Sequence, residues 1–348
     1  MPKPSDPAAP GLDPDALHAE ATIVDGLVFT SDGYAGDLLA GNVSAINLTV
    51  SHMEGDYQDA CDGASEWIAR AAAPASPWQI VRTVDDIRSA RGRGKVGLIM
   101  GWQNMRPIAD QLHRIAFFHG LGIRVMQLTY NTRNFIGDGC LETENSGLSL
   151  FGRRAIAEMN RLGVAIDLSH VGERTAFQAA EVSQQPVFLT HANAHAVVAM
   201  PRNKTDDLLK AVAATGGTIG ASIYGPMCWD RDPSHHPSLS DFLRHLDHIA
   251  NLVGIDRVSF GTDLPAVKSL GTVEHILEMT RTRFPENVGA YEKAFGGGAR
   301  ERYIREVGSP LDFPVITRAL VQRGWSATEV KGLLGENFLR AVSNVWIQ

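Results

Sequence analysis

The chain has 348 residues, of which 44% are hydrophobic and 20% charged, a balance typical of globular proteins rather than disordered or fibrous ones. Its formal net charge of −7 argues against a strongly basic face, so we expect no nucleic-acid partner. No run of about 18 apolar residues predicts a membrane span, and the first 17 residues lack the apolar stretch of a signal peptide. Three scattered cysteines are too few for a disulfide framework, which favours a cytoplasmic location.

Residues 1–14 are rich in proline and are predicted to form a flexible tail, followed by one domain over 15–348. Eight short, almost continuously apolar runs then predict strands buried on both faces, as in a parallel sheet. In chain order these runs are 22–28, 43–50, 96–102, 123–129, 164–169, 186–190, 217–223 and 258–261.

Amphipathic segments separate most of these runs and predict helices. The predicted helices are 108–120, 150–162, 206–215, 240–253 and two within 327–346. Gly120, Gly163 and Gly216 are predicted to end the first three, because glycine is the usual residue after a helix. The alternation of strands and helices indicates an α/β fold with parallel pairing, and eight such units predict a (β/α)8 barrel of the TIM type.

Two long excursions interrupt the alternation, at about 51–93 and 264–311. The second contains three consecutive glycines at 296–298, but no Lys-Ser/Thr pair follows them as it does in a phosphate-binding loop. We therefore predict a flexible loop there rather than a phosphate site.

Five predicted strands run into a polar residue that is able to do chemistry. These residues are Gln103, Tyr130, His170, His191 and Asp263. In a barrel, the carboxyl ends of the strands meet on the one face where active sites lie. The sequence therefore predicts that these side chains share a site.

His170 and His191 end neighbouring strands and are predicted to lie within reach of one metal ion. Imidazole is a preferred ligand of zinc and similar divalent ions. The alternative is that each histidine only forms hydrogen bonds with neighbouring loops.

Asp263 and Arg202 suit the same site. A carboxylate at Asp263 can bind metal, act as a general base or hold a substrate amine, and its alternative role is to cap the next segment. Arg202, in the loop after His191, can bind a substrate carboxylate, or it can form a surface ion pair with Asp206 or Asp207.

A turn-rich loop at 138–142 adds further candidates. Cys140 and Glu142 can supply a metal ligand or a nucleophile, although a plain polar loop is the preferred explanation. Tyr224 is expected in the core or in a pocket wall.

Together these residues form a pattern that resembles the membrane (renal) dipeptidase family of metallopeptidases, within the amidohydrolase-like barrels. The pattern runs from about Thr22 to Trp346, and its specific segments are 147–152, 158–171, 186–191, 202–203, 261–263 and 335–340. The resemblance implies a (β/α)8 barrel, usually a homodimer, that hydrolyses dipeptides with two zinc ions.

The resemblance also implies roles for four residues of this chain. His170 and His191 match the two histidines of the second metal site. Arg202 matches the arginine that binds the substrate carboxylate, and Asp263 matches the aspartate that aids proton transfer and amine recognition.

At other positions the chain departs from the family pattern. The first strand of the family ends Asp-Gly-His-x-Asp, whereas here Leu27 and Phe29 replace the histidine and the second aspartate. Gln103 stands at the position of the glutamate that bridges the metals, and Tyr130 at that of a histidine after the fourth strand. The usual two-metal site therefore cannot form from these residues.

We accordingly predict a mononuclear hydrolase of dipeptides or other small N-acyl amino acids, with one divalent ion, zinc by preference, or none. Its third protein ligand is left open between Asp263, Gln103 and the 138–142 loop. The predicted site residues are His170 and His191 for metal, Asp263 and Tyr130 for catalysis, and Arg202, Gln103 and Tyr224 for substrate. The alternative is a metal-free enzyme or a small-molecule binder; a cytoplasmic homodimer is expected in both cases.

Overall fold

A computed structural model of the chain describes residues 11–346, apart from 231, 233, 270, 286–288 and 290–301. The first ten residues of the predicted tail and the glycines at 296–298 lie outside the described residues. The tail prediction extends too far at its other end, since helix α1 (Pro14–Glu20) already begins at Pro14. Asp13 caps this helix by accepting hydrogen bonds from the backbone amides of Asp15 and Ala16.

Strands in the described part of the chain pair in parallel, as the sequence predicts. They are β1 (Ile23–Ser31), β2 (Val43–Thr49), β3 (Trp78–Ile80), β4 (Val96–Trp102), β5 (Ile123–Gln127), β6 (Ala165–Asp167), β7 (Val187–Phe188), β8 (Ile219–Ala221), β9 (Val258–Phe260) and β10 (Leu264–Ala266). The eight predicted strands are thereby confirmed as β1, β2, β4, β5, β6, β7, β8 and β9. β3 and β10 were not predicted, and both lie in the long excursions.

The sheet follows the order β10-β1-β2-β4-β5-β6-β7, and β8 pairs separately with β9. A bridge between Leu189 and Ile219 joins the end of β7 to β8. On the other side, the amide of Asp263 donates to the carbonyl of Leu27, which joins the chain after β9 to β1. These links close the eight strands into the predicted barrel, with their carboxyl ends on one face.

Helices alternate with the barrel strands and cover them. They are α1, α2 (Gly36–Ala40), α3 (Tyr57–Ala72), α4 (Val84–Gly92), α5 (His113–Leu121), α6 (Leu150–Leu162), α7 (Glu173–Val182), α8 (Asp206–Ala214), α9 (Gly225–Cys228), α10 (Leu239–Val253), α11 (Gly271–Arg283), α12 (Pro314–Gln322), α13 (Ala327–Lys331) and α14 (Asn337–Val342). A π-helical turn, Gly332–Glu336, connects the last two.

The predicted bounds of α6 are confirmed, and Gly163 ends this helix with a φ of 74°. For α5 the prediction was wrong at both ends. Arg106–Ile108 forms a separate 3-10 turn before the helix, and the left-handed residue that ends α5 is Gly122, with a φ of 114°, not Gly120.

Alternate residues of the strands face two different apolar layers, as the two-residue period of a strand requires. In β4, Leu98 and Met100 pack in the layer between sheet and helices, whereas Ile99 belongs to the cluster inside the barrel. Phe338 of α14 joins this inner cluster and contacts Phe188 at a ring-centroid distance of 5.8 Å. The amino end of the barrel is thus filled, which leaves the carboxyl end for a pocket.

Among the helices that the structure describes, none combines the length and the apolar character needed to cross a lipid bilayer.

Candidate active site

A small pocket lies over the carboxyl ends of the strands, with a cavity volume of about 30 Å³. Its lining side chains are Phe29, Met53, Gln103, Tyr130, His170, Arg202, Tyr224, Met227, Asp263 and Arg302. Four of the five predicted strand-end residues therefore share one pocket wall. The fifth, His191, is fully buried beneath the wall and contacts His170.

The two histidines meet through their ring nitrogens, because the Nε2 atoms of His170 and His191 are 3.0 Å apart. Burial first, and then the positive charge of Arg202, lower the pKa of both imidazoles well below 6.5. Both rings are therefore neutral near pH 7, and each carries one N–H.

The position of that N–H on His191 follows from a relay of hydrogen bonds. Thr190 Oγ1 donates to the Asp167 carboxylate over 2.7 Å, so it must accept from Nδ1 of His191, which is 2.8 Å away. Asp167 also accepts from Ser169 Oγ and from the amides of Ser169 and Thr190, which fixes the carboxylate between β6 and β7. The Nε2 atom of His191 is left with its lone pair.

His170 has the same tautomer for a different reason. Its Nδ1 atom lies 2.7 Å from Oδ1 of Asn131, which also accepts a weak hydrogen bond from the Cys140 thiol. Two neutral rings thus point lone pairs at each other across 3.0 Å. Such an arrangement is repulsive unless both nitrogens bind one cation, which at zinc–nitrogen distances of about 2.0–2.1 Å would lie to one side of the line that joins them.

Arg202 is only 2% exposed, so the alternative of a surface ion pair with Asp206 or Asp207 is wrong. Its guanidinium donates to the carbonyls of Ser169 and His191, which ties together the loops that carry both histidines. The arginine thereby lines the pocket and holds the histidines in place.

Lys204 lies close behind the same loops and is 1% exposed. Its Nζ donates to the carbonyl of Val171 over 2.7 Å, and burial lowers its pKa to about 8. A second positive charge therefore remains near the histidine pair at neutral pH.

Asp263 has a φ of 62°, in the left-handed region that costs energy for residues other than glycine, asparagine and aspartate. Strand β10 follows it directly, so its alternative role as a helix cap is wrong. Removal of water from the carboxylate raises its pKa to about 6, although Arg302 and Arg202 oppose this rise. A buried carboxylate with a raised pKa in a pocket wall is typical of functional sites.

The remaining predicted residues complete the wall. Gln103 donates through Nε2 to Thr49 Oγ1 over 3.0 Å, and Tyr224 is 6% exposed. The ring of Tyr130 stacks on His170 at a centroid distance of 4.2 Å, and burial raises the pKa of its hydroxyl. Tyr130 therefore remains a hydrogen-bond donor at every ordinary pH.

Two side chains occupy the place predicted for the missing first metal site. Leu27 and Phe29 are 2% and 5% exposed, and both are apolar. Neither offers a ligand, so a pair of metal ions does not fit these residues.

One ion fits better than two, because two imidazole lone pairs converge and suit zinc. Within the described residues, however, no group of three His, Cys, Asp or Glu side chains is placed to hold a metal. In the 138–142 loop, Asp138 pairs with the Arg133 side chain, and Glu142 accepts from the Arg133 amide. The donor set is therefore two nitrogens, and any further ligands come from neutral groups or water.

Sequence reasoning missed several residues that shape the site. Asp167 and Asn131 fix the tautomers of the histidines, and Arg302 reaches the pocket from the second excursion. A Ser or Thr beside each histidine was the visible sign of the Asp167 relay, whereas nothing in the local sequence pointed to Arg302.

Comparison with known proteins identifies the family of the chain. The sequence profile of the membrane dipeptidase family, peptidase family M19, matches residues 51–282. The chain is 27% identical to dipeptidase tcpJ of Claviceps purpurea over 269 residues, which cover 77% of this chain and 55% of that protein. It is 29% identical to an uncharacterized dipeptidase of Schizosaccharomyces pombe, over 71% of this chain and 53% of that protein. The chain spans about half the length of these curated relatives.

Solved structures give the same result for the fold. An amidohydrolase from Pseudomonas aeruginosa is similar with a TM-score of 0.85 at 30% identity, over 96% of this chain and 99% of that one. A metallopeptidase from Rhodobacter sphaeroides, solved with a phosphinate mimic of the dipeptide L-Ala-D-Ala, has a TM-score of 0.74 at 20% identity, over 94% and 99%. These likenesses confirm the predicted fold.

Proposed function

The chain belongs to the membrane dipeptidase family, peptidase family M19, and from that premise we propose that it hydrolyses the amide bond of a dipeptide or another small N-acyl amino acid. The observation that carries this proposal is the histidine pair. Two neutral imidazoles direct their Nε2 lone pairs at each other over 3.0 Å, below a pocket that also contains Arg202 and Asp263.

His170 and His191 would hold one divalent ion of the zinc type. When bound, such an ion acts as a Lewis acid and lowers the pKa of a coordinated water toward neutrality. With two protein nitrogens and the charges of Arg202 and Lys204 close by, we expect this ion to bind less tightly than zinc on three protein ligands.

The side chains around the ion site divide the remaining work. Arg202 keeps N–H donors beyond the two carbonyls that it binds, and these suit a substrate carboxylate. Asp263, with a pKa of about 6, is suited to accept a proton from the attacking water and to return it to the leaving amine. Tyr130 donates a hydrogen bond to the oxyanion that forms at the scissile carbonyl.

Gln103 and Tyr224 complete the proposed substrate contacts in this pocket. Because the cavity holds only about two waters, a dipeptide enters when lining side chains move apart. The homodimer and the cytoplasmic location stay predictions from the sequence.

Metal content tests the ion site directly. Protein purified without chelator is expected to contain about one divalent ion per chain, and His170→Ala/His191→Ala less than about a tenth of one. Elemental analysis by mass spectrometry measures both, and Asp263→Asn serves as a control that keeps the ion. Wild-type protein without a stoichiometric ion would contradict the mononuclear site and favour the metal-free alternative.

The pH profile of hydrolysis tests Asp263. Since only the ionised carboxylate accepts a proton, and its pKa is raised to about 6, kcat/KM is expected to fall as pH decreases through 6. The loss between pH 7 and pH 5 is about tenfold, which follows from the change in ionised fraction. Initial rates at constant ionic strength measure this limb.

Asp263→Asn is the matched variant for the pH profile, because asparagine tolerates the left-handed backbone that this position requires. It is expected to be slower at pH 7 and to lack the acid limb. An acid limb that persists unchanged in Asp263→Asn would assign the titration to another group.

A further inference from the structure

The second excursion returns to the pocket as a short segment, residues 302–304, that pairs with the chain after strand β8. The amide of Gly225 donates to the carbonyl of Arg302 over 2.8 Å. An antiparallel bridge pairs Tyr303 with Tyr224, and the two rings meet edge to face at a centroid distance of 6.1 Å. The backbone of Tyr303 is therefore fixed to the barrel, although the sequence places it in a long excursion.

The side chain of Tyr303 reaches the backbone of Asp263. Its hydroxyl donates to the Asp263 carbonyl over 2.7 Å. The direction of this bond is fixed, because Nε of Arg302 lies 3.3 Å from the same hydroxyl and can only donate to it. Burial raises the pKa of Tyr303, so the hydroxyl keeps its proton at every ordinary pH. Two hydrogen bonds thus run from Arg302 through Tyr303 to Asp263, and each bond polarises and strengthens the other.

The carbonyl that accepts from Tyr303 belongs to a residue with an uncommon backbone conformation. Asp263 has a φ of 62°, and most residues other than glycine favour the extended region, so the surroundings have to hold it there. Its own amide donates to the carbonyl of Leu27 over 3.0 Å, and the amide of Leu264 donates to Oγ1 of Thr262 over 3.0 Å. Tyr303 adds a point of attachment from a different segment of the chain.

The backbone conformation of Asp263 determines where its carboxylate lies, and this carboxylate lines the pocket together with His170. We propose that Tyr303 is a positioning residue, whose hydroxyl holds the left-handed backbone of Asp263 and thereby keeps the carboxylate in the pocket. The part that this carboxylate takes in proton transfer rests on the proposed function. Its placement by Tyr303 stands on the geometry alone, and its test includes a measurement that needs no turnover.

Tyr303→Phe removes the hydroxyl and keeps the ring that packs on Tyr224. With L-Ala-L-Ala and N-acetyl-L-alanine as substrates, we expect kcat to fall roughly 10- to 100-fold, the usual effect of a general base displaced by about 1 Å. KM should change less than about threefold, because Arg202 still binds the substrate carboxylate. Steady-state kinetics at pH 7 measure both constants.

A rescue variant separates the hydrogen bond from simple packing. 4-Aminophenylalanine in place of Tyr303, introduced by stop-codon suppression, returns an N–H donor to the position of the hydroxyl. It should recover most of the kcat that Tyr303→Phe loses, whereas a role in packing alone predicts equal activity of the two variants. If circular dichroism shows the phenylalanine variant to be unfolded, Tyr303→His takes its place, since the shorter histidine ring ends before the carbonyl.

Tyr34→Phe is the matched control, because it also removes one hydroxyl that donates a hydrogen bond. Tyr34 donates to Asp37 over 3.0 Å and lies outside the residues that line the pocket. Its loss should leave kcat within about twofold of wild type.

Crystal structures of the wild-type and Tyr303→Phe proteins supply the measurement without turnover. The wild type is expected to keep the left-handed φ at Asp263. In Tyr303→Phe, the peptide between Asp263 and Leu264 is expected to turn, with a displacement of the carboxylate by about 1 Å or more.

An unmoved carboxylate in Tyr303→Phe, or a kcat equal to that of wild type, would overturn the proposal. A displaced carboxylate, in a protein whose wild type hydrolyses neither substrate, would support the placement by Tyr303 and contradict the proposed hydrolase. Hydrolysis by the wild type, with an unmoved carboxylate in the variant, would support the hydrolase and overturn the positioning role. The two proposals therefore fail separately.

Discussion

His191→Ala is expected to lower kcat/KM for amide hydrolysis by at least about 1,000-fold, while Thr190→Val lowers it by roughly 10- to 100-fold. The alanine removes one of the two nitrogens that converge at 3.0 Å. The valine keeps the ring but removes the hydroxyl that accepts from Nδ1 and donates to Asp167, so the tautomer is no longer fixed. Steady-state kinetics with metal analysis of each variant measures the graded loss.

Thr190→Ser is the matched control for this series, because it restores the hydroxyl and removes only a methyl group. It should stay within about threefold of wild type if the relay is what matters. Thermal unfolding of every variant separates a lost relay from a lost fold. Equal activity of the valine and serine variants would show that Asp167 and Thr190 only support the structure.

The sequence was informative about the site wherever chemistry and strand ends coincide. Gln103, Tyr130, His170 and Asp263 each follow an apolar run, and the parallel pairing of these runs brings the four side chains to one pocket. Their placement requires only the direction of the strands. The alternation of strand side chains, and the rule that active sites lie at the carboxyl ends of barrel strands, were therefore enough to predict that these four residues share a site.

Other parts of the site depend on contacts between residues far apart in the chain. Arg302 reaches the pocket through a bridge with the end of β8, about 80 residues earlier in the sequence. The sequence left Arg202 open between a substrate contact and a surface ion pair, and its burial against two carbonyls excludes the surface ion pair. The spacing of apolar residues does not report contacts between distant parts of the chain. Neither the position of Arg302 nor the burial of Arg202 was therefore predictable from the sequence.

In the fold, too, some elements were predicted correctly from the sequence and others were not. Strand β4 was predicted with its correct bounds, because an apolar run of this length suits a buried strand and is too short for a typical helix. Helix α5 was predicted five residues too long at its start, since a 3-10 turn ends at Ile108 and the α-helix begins only at His113. Local spacing alone does not distinguish these two conformations.

Gly261→Ala is expected to reduce the free energy of unfolding by about 3 kcal/mol or more, because a methyl group does not fit at this position. A Cβ on Gly261 would lie 1.9 Å from the carbonyl oxygen of Thr190. Gly220 and Gly26 approach the same oxygen, and their added Cβ atoms would lie 2.0 Å and 2.7 Å from it. Two glycines within strands β1 and β8, and one directly after β9, thus make room for the backbone that carries the relay to His191.

Chemical unfolding in urea measures the predicted loss, and Gly120→Ala provides the matched control. Gly120 lies within α5 with no atom within 4 Å of an added Cβ, so alanine there should stabilise the protein by about 0.5 to 1 kcal/mol. Because the Thr190 carbonyl precedes His191, any Gly261→Ala protein that folds should also bind the metal ion more weakly. A Gly261→Ala protein as stable as wild type would mean that the strands move apart to accept the methyl group. Their close approach would then not determine the position of His191.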